Sequence, residues 1–265
     1  TIAVMSYLLG TQSHSIVIAI EVVPNIDVSS DSLQIFGKNL LISFDDSQKT
    51  DYTKVLRILN KFGVPAEFCV WTYQIDDSSN AKLHKDELLT LATTNEIASH
   101  SRYHIALAGG TLLTASSKGS YIVHTNVDSN FKWGKFRTFQ ISNGSSSEIV
   151  EVTGVESKNG SSYVKLAKPL IGDYPAGSTL AMTTESIENE AAESKQWLND
   201  LGIKCSGFSY PFGRTDNRSE QIIKKYYTTA RIASPIRSDR SNIYDSVYQD
   251  SVPNRFEMNA IDFSY

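Results

Sequence analysis

The sequence predicts an α/β fold of parallel strands covered by helices, interrupted once by a small all-β insertion. Three observations carry this. Residues 39–104 alternate apolar runs of strand length with amphipathic stretches of helical length. Acidic and imidazole side chains stand at the carboxyl ends of two of those strands, where functional groups gather in parallel sheets. Between residues 112 and 182 the composition turns to Ser, Gly, Thr and Val, with period-two patterning and regularly spaced turns.

The first forty residues hold short apolar runs at 15–23 and 33–36, with turns at Asn25 and Gly37-Lys38-Asn39. A buried strand over 39–44 runs straight into Asp45-Asp46. Val55, Leu56, Ile58, Leu59 and Phe62 then fall at helical spacing, and Gly63 stands where a C-terminal cap belongs. Pro65 precedes a second strand over 66–73. A short helix over 85–93 follows, and a third strand over 96–99 ends at His100. This rhythm is that of parallel strands with covering helices.

The rhythm breaks near Gly109-Gly110. Strands at 136–141, 148–155 and 163–166 are separated by Asn143-Gly144, Asn159-Gly160 and Pro175-Ala176-Gly177, the pattern of a compact barrel or sandwich. The α/β rhythm resumes with Thr184 as an N-cap, and Ile187, Ala191, Trp197, Leu198 and Leu201 lie on one helical face before Gly202. A strand over 203–210, the Pro211-Phe212-Gly213 turn, a helix over 219–226 and strands over 228–233 and 256–261 complete the chain. The expected divisions are an N-terminal β segment (1–37), a first part of the α/β unit (38–111), the β insertion (112–183) and the second part (184–265).

The 265 residues, 40% apolar, suffice for one substantial core. The formal charge of -4 is made of interspersed signs with no basic stripe, which argues against nucleic acid as a partner. The longest apolar run, 16–23, contains Glu21 and stops at Pro24, too short for a membrane span. Cys69 and Cys205 sit inside strand-like apolar runs and are expected to be buried free thiols. The chain starts at Thr1 with no signal-peptide pattern, so the expectation is a processed or excised piece.

His100 and His104 are spaced i, i+4. On a helical turn both imidazoles would project from one face and share a metal, although surface helices also carry such pairs by chance. Their position after a strand, with Asp45-Asp46 after another, favours the metal: two imidazoles and one carboxylate make a common catalytic zinc set. An Asp pair is ordinarily a turn or an N-cap. At the end of an apolar strand, however, two adjacent anions are unfavourable unless a cation or shared proton compensates. A division of labour follows, one carboxylate ligating the metal and the other taking a proton from the attacking water. Phe208-Ser209-Tyr210-Pro211-Phe212-Gly213 is either a strand ending in an aromatic-packed turn or a rim of the site. In the second case the Phe212 N–H would point at a developing oxyanion.

These three elements together resemble the motifs of the NodB-like polysaccharide deacetylases, carbohydrate esterase family 4. Ser43-Phe44-Asp45-Asp46-Ser47 is similar to their T/S-F-D-D-G motif. Glu96-Ile97-Ala98-Ser99-His100-Ser101-Arg102-Tyr103-His104 is similar to H-S/T-x-x-H with its upstream Glu-Ile, and Phe208 to Gly213 to the Y-P-Y/F-G variant of the third motif. The resemblance spans roughly 38–110 and 185–262. It implies a distorted (β/α)7-type barrel, Asp45 as catalytic base, and Asp46, His100 and His104 as ligands of one divalent metal, most often zinc. It further implies Phe212 N–H as oxyanion donor and an acetylated polysaccharide as substrate.

The sequence also departs from the family. Ser47 replaces the usual Gly. Ser209 stands where many members have an Arg that supports the base, with Arg231, Asp245 or Asp250 as possible substitutes. The late L-x-H histidine that protonates the leaving group has no counterpart, since the five histidines are 14, 84, 100, 104 and 124. Trp71, Tyr73, Tyr103, Tyr210 and Pro211 are candidates for sugar contact, with core or rim packing as the alternative for Trp71 and Tyr73. Segments such as 148–154 and 164–177 are similar in composition to small β modules of phage tail and fibre proteins. That implies an extracellular or virion-borne enzyme acting on capsule, in an oligomeric, trimeric spike. The competing reading is a carbohydrate-binding or adhesin module on an inactive deacetylase scaffold.

Overall fold

In the computed structural model the described residues are 16–21, 34–35, 38–127, 138–158, 161–235, 255 and 258–262. The turns expected at Asn25 and Asn159-Gly160, the start of the strand expected over 136–141, and His14, Asp245 and Asp250 lie outside them. The chain runs through β1 (Ile16–Glu21), β2 (Gln34–Ile35) and β3 (Lys38–Phe44), then a π-type turn at Asp51–Val55 that leads into α1 (Leu56–Phe62). β4 (Glu67–Val70), α2 (Lys85–Leu91) and β5 (Glu96–Ser99) follow. Next come β6 (Gly110–Thr111), β7 (Ile122–Thr125), β8 (Thr138–Ser142), β9 (Ser147–Lys158), β10 (Ser161–Leu166) and β11 (Thr179–Met182). α3 (Thr184–Asp200), β12 (Gly207–Ser209), α4 (Asn217–Tyr226), β13 (Thr229–Pro235) and β14 (Met258–Asp262) complete the order.

The fold is mixed α/β, on a curled parallel sheet. β14, β13, β12, β5, β4 and β3 are successive parallel neighbours, and β2 is a hairpin on β3. β1 pairs antiparallel with both β14 and β3, so the parallel sheet curls toward the strand that its two outer members share. Buried parallel strands require apolar side chains on both faces. Phe68, Cys69, Val70, Ile97, Ala98 and Phe208 are accordingly buried, and Phe44 stacks on Phe68 at 5.3 Å.

The helices are sealed by local chemistry. α1 buries Leu56 and Leu59 and ends at Gly63, whose φ of 63° suits the left-handed cap. Phe62 departs from the expected stripe: it stands at the end of α1, just before Gly63, and is 57% exposed. α2 buries Leu88 and Leu91 completely, each contributing about 2 kcal/mol from apolar burial. The N-cap of α3 is Thr183, one residue earlier than expected, with its Oγ1 accepting from Ser186 N at 3.2 Å. In α4, Asp216 accepts from Ser219 N at 2.8 Å, and Lys224 and Lys225 oppose the dipole at the other end. The strand expected over 203–210 contracts to β12, since Gly207 to Ser209 alone find parallel partners.

β6 to β11 form a six-stranded antiparallel sheet in the order β6-β11-β8-β9-β10-β7. Leu113 N donates to His124 O at 2.8 Å and Asn126 N to Thr111 O at 3.1 Å, so the segment around β6 also meets β7. The period-two pattern puts Val123, Phe139, Ile141, Val150, Val152, Val164, Leu166 and Leu180 inside. Thr138 ties this sheet to α3 through the hydroxyls of Thr183 and Ser186, at 3.0 and 2.7 Å. Among the described residues no helix is long and apolar enough to cross a membrane.

Candidate metal centre

The ends of β3, β5 and β12 bring the three motifs together. Asp46 follows β3 and turns with φ 73°, and Ser47 follows with φ 54°. A left-handed residue other than Gly costs roughly 1–2 kcal/mol, which is why glycine suits the Ser47 position. Here the serine is buried, and its Oγ accepts from Trp71 N at 2.9 Å. His100 follows β5 directly, and its Nδ1 bonds to Ser209 O at 2.8 Å, which aims Nε2 away from the strand.

His104 does not share a helical turn with His100, contrary to the i, i+4 expectation. The chain after β5 is irregular, with Ser101 at φ 63° and His104 at φ 56°. Side chains hold this bend. Ser101 N donates to Ser99 Oγ at 3.2 Å, and His104 N to Ser101 Oγ at 2.9 Å. Arg102 N and Tyr103 N both donate to Glu190 Oε2 of α3, at 3.0 and 2.8 Å. The His104 ring packs against Trp71 at 4.8 Å and edge-on to Phe212 at 4.6 Å.

Three donor atoms converge. Asp46 Oδ1 lies 3.0 Å from His104 Nε2 and 3.5 Å from His100 Nε2, and the two Nε2 atoms are 3.0 Å apart. Ligand atoms at about 2.0–2.1 Å from a tetrahedral zinc stand roughly 3.3 Å from one another, so the set fits one small divalent cation. Two ring nitrogens 3.0 Å apart share at most one proton, whereas a cation satisfies all three atoms at once. Burial by itself would raise the Asp46 carboxyl, but its bonds to His100 and His104 hold it well below the usual carboxylate range. Burial likewise pulls His100 down, and the charge of Asp45 with the bond to Asp46 reverses the sign. For His104 burial prevails, and its imidazole is held below the ordinary value.

Asp45, the residue before Asp46, is held by Arg231. Its Oδ1 accepts from Arg231 Nη2, and Arg231 also donates through Nε to Glu67 Oε2 at 3.3 Å and through Nη2 to Cys69 Sγ at 3.1 Å. All four residues are buried. Arg231 on β13 therefore gives Asp45 the cationic support that Ser209 does not. Both cysteines are free and buried. Lys82 Nζ donates to Asp46 O at 2.9 Å and lies 5.1 Å above the Trp71 ring, and burial lowers its pKa.

Several candidate sugar contacts are corrected. Tyr103 is 2% and Tyr210 1% exposed, and Pro211 is buried, so none of these side chains offers a ring face to a polysaccharide. Tyr210 packs on Phe208 at 5.2 Å, and Tyr103 lies beneath Tyr73 at 4.9 Å. Trp71 is half-buried and Tyr73 exposed. Phe212 forms a bend with φ 58° beside His104. Of the other histidines, His84 precedes α2 near Asp76, and His124 stacks on Tyr163 in the second sheet. Glu190 and Glu67 were not among the sequence candidates. The sequence does carry a signal for Glu190, a carboxylate between Ile187 and Ala191 on the apolar stripe of α3.

The profile of the polysaccharide deacetylase family matches residues 36–230. No curated protein sequence matches the chain. Among solved structures it is similar to the Streptococcus pyogenes deacetylase PplD in complex with acetate, at 14% identity and a TM-score of 0.44, over 82% of this chain and 63% of that one. It is also similar to IcaB from Ammonifex degensii, at 13% and 0.43, over 72% and 58%, and to a de-N-acetylase from Aggregatibacter actinomycetemcomitans, at 15% and 0.42, over 72% and 62%. The chain thus spans less than two thirds of each of these proteins. The family match runs from the β2–β3 hairpin into β13 and takes in all three motifs, and the chain belongs to the polysaccharide deacetylase family.

Proposed function

We propose that this chain is a metal-dependent deacetylase that hydrolyses acetyl groups from an acetylated cell-surface or capsular polysaccharide. The observation that carries the reading is the convergence of Asp46, His100 and His104 beside a buried carboxylate, Asp45, fixed by Arg231. A divalent ion held by those three residues, most simply Zn2+, would polarise the acetyl carbonyl and acidify the attacking water. Asp45 would accept a proton of that water, and Arg231 holds its carboxylate in place. Phe212 N–H is the expected donor to the oxyanion, on a bend whose ring touches His104. Tyr73, which is exposed, and Trp71, half-buried against His104 and Lys82, remain the aromatic candidates for contact with a sugar ring.

The proposal includes a closed (β/α)7-type barrel, supported by the pairing of β1 with both β14 and β3, and the 112–183 segment as an inserted domain, supported by its separate sheet. An extracellular or virion-surface setting with a trimeric assembly rests on the composition of the β segment alone, and light scattering of the purified chain tests the trimer. The binding-only alternative is favoured by one feature: among the described residues no third histidine reaches the centre. Acetate release decides between them. Purified protein with Zn2+ should free acetate from acetylated glycans, and EDTA or Asp45→Asn should stop it. A metal-loaded protein inert on N- and O-acetylated glycans alike would leave the binding reading.

A further inference from the structure

We propose that Glu190 is the positioning residue that builds the metal-ligand loop, although it lies on α3, 88 residues after the loop it holds. The inference rests on the metal reading of Asp46, His100 and His104. The four consecutive N–H groups of residues 101–104 all go to side-chain oxygens and none joins a strand. Ser99 and Ser101 serve the outer two from within the same segment. Glu190 Oε2 serves both middle ones, and it is the sole acceptor brought from a distant element.

Successive N–H groups next to a left-handed residue form a concave donor pair that suits an anion, and here the anion is a carboxylate of the chain itself. Glu190 is fully buried, so in the folded chain solvent does not compete for these donors. Without Glu190, the N–H groups of Arg102 and Tyr103 lose their acceptor. The left-handed Ser101 and His104 then lose what over-determines them. His100 is anchored independently, through Ser209 O on β12. The consequence therefore falls on His104: Glu190 sets whether its Nε2 meets that of His100 on a common cation.

Outer partners of metal ligands typically change affinity by about 10–100-fold when lost. The test uses the full chain, stripped with EDTA and titrated with Co2+, whose visible absorption reports the ligand set, with Zn2+ measured against a chelator. Glu190→Gln keeps a carbonyl that accepts both N–H groups and should bind within about 3-fold of wild type, with the same Co2+ spectrum. Glu190→Ala should bind about 10–100-fold more weakly and show an altered spectrum. If Glu190→Ala does not fold, Glu190→Asp takes its place, a methylene too short to reach both donors, and should bind at least 10-fold more weakly than Glu190→Gln. A folded Glu190→Ala protein with wild-type affinity and spectrum, even at a reduced melting temperature, would show ordinary structural support and overturn the inference. So would a glutamine variant as weak as alanine, or an aspartate variant as tight as wild type. A wild-type chain that binds neither Co2+ nor Zn2+ fails at the metal reading itself, whereas tight wild-type binding unaffected at Glu190 removes this inference alone.

Discussion

Arg231→Leu should be among the most damaging single substitutions outside the metal ligands. Arg231 is 2% exposed and is the cation shared by two buried carboxylates, those of Asp45 and Glu67. Breaking a buried ion pair by removing one partner typically costs 3–5 kcal/mol, because the other charge stays in the interior uncompensated. Two carboxylates are stranded here, so the loss should reach about 5 kcal/mol. The restoring change is specific. Glu67→Gln in the Arg231→Leu background neutralises one stranded charge, and the double variant should regain about 1–2 kcal/mol over Arg231→Leu alone. Arg231→Lys should lie between, since an ammonium cannot fork to both acids. Equilibrium urea denaturation at 25 °C, followed by tryptophan fluorescence, measures each difference. An Arg231→Leu protein within about 1 kcal/mol of wild type would show that the buried network does not carry the charge balance assigned to it. So would a double variant no more stable than the single one.

Other expected outcomes are as direct. His104→Ala should abolish stoichiometric Zn2+ binding in equilibrium dialysis, whereas Asp45→Asn should keep the metal and lose about 10²–10⁴-fold in acetate release. Thr183→Ala removes the oxygen that caps α3 and should cost about 1 kcal/mol in the same urea assay. The metal-free protein should be less stable at pH 7 than at pH 4.5 because of Glu190, whose carboxyl burial pushes from an ordinary 4.5 to about 7. A folded-state pKa above the unfolded one gives stability that is complete below pH 4.5 and lost as pH rises through 7, here on the order of 3 kcal/mol. Glu190→Gln should remove that contribution and leave the one from Asp51, whose carboxyl burial also raises, and parallel stability–pH curves for the two proteins would contradict the assignment.

Asp46 and His100 were legible in the sequence as candidate metal donors because they stand where local pattern ends. An apolar run that stops at Asp45-Asp46, and another that stops at His100, are visible without knowing what packs across from them. The helical-turn argument for His100 and His104 named two residues that the structure does bring together, but by a different geometry. Spacing alone cannot distinguish a helical turn from a loop bent through two left-handed residues, and here it is the loop. Tyr103 and Tyr210 look like sugar platforms in sequence, yet ring orientation depends on the neighbouring layer, and α3 and β12 turn both inward. Glu190 escaped because its partners are the peptide groups of Arg102 and Tyr103, and no side-chain periodicity records that pairing. Arg231 was one of three candidates to support the base. Nothing local separated it from Asp245 and Asp250 until β13 was placed two strands from β5.

The adjacency of Asp45 and Asp46 poses an electrostatic problem that the backbone solves. In an extended strand, neighbouring side chains already diverge to opposite faces, but that alone would leave one carboxylate in the core without a counter-charge. Asp45 keeps the inward direction and meets Arg231. The backbone then turns left-handed at Asp46 and Ser47, which carries the Asp46 carboxylate toward the imidazoles. Each anion thereby has its own partner, and the two cannot exchange roles without undoing that bend. Asp46 remains one third exposed, which suits the proposed metal ligand, whereas Asp45 is buried. The strain at Asp46 and Ser47 is what sends two consecutive carboxylates to different partners, as the proposed metal ligand and the proposed base, and the serine hydroxyl bound to Trp71 N helps to hold it.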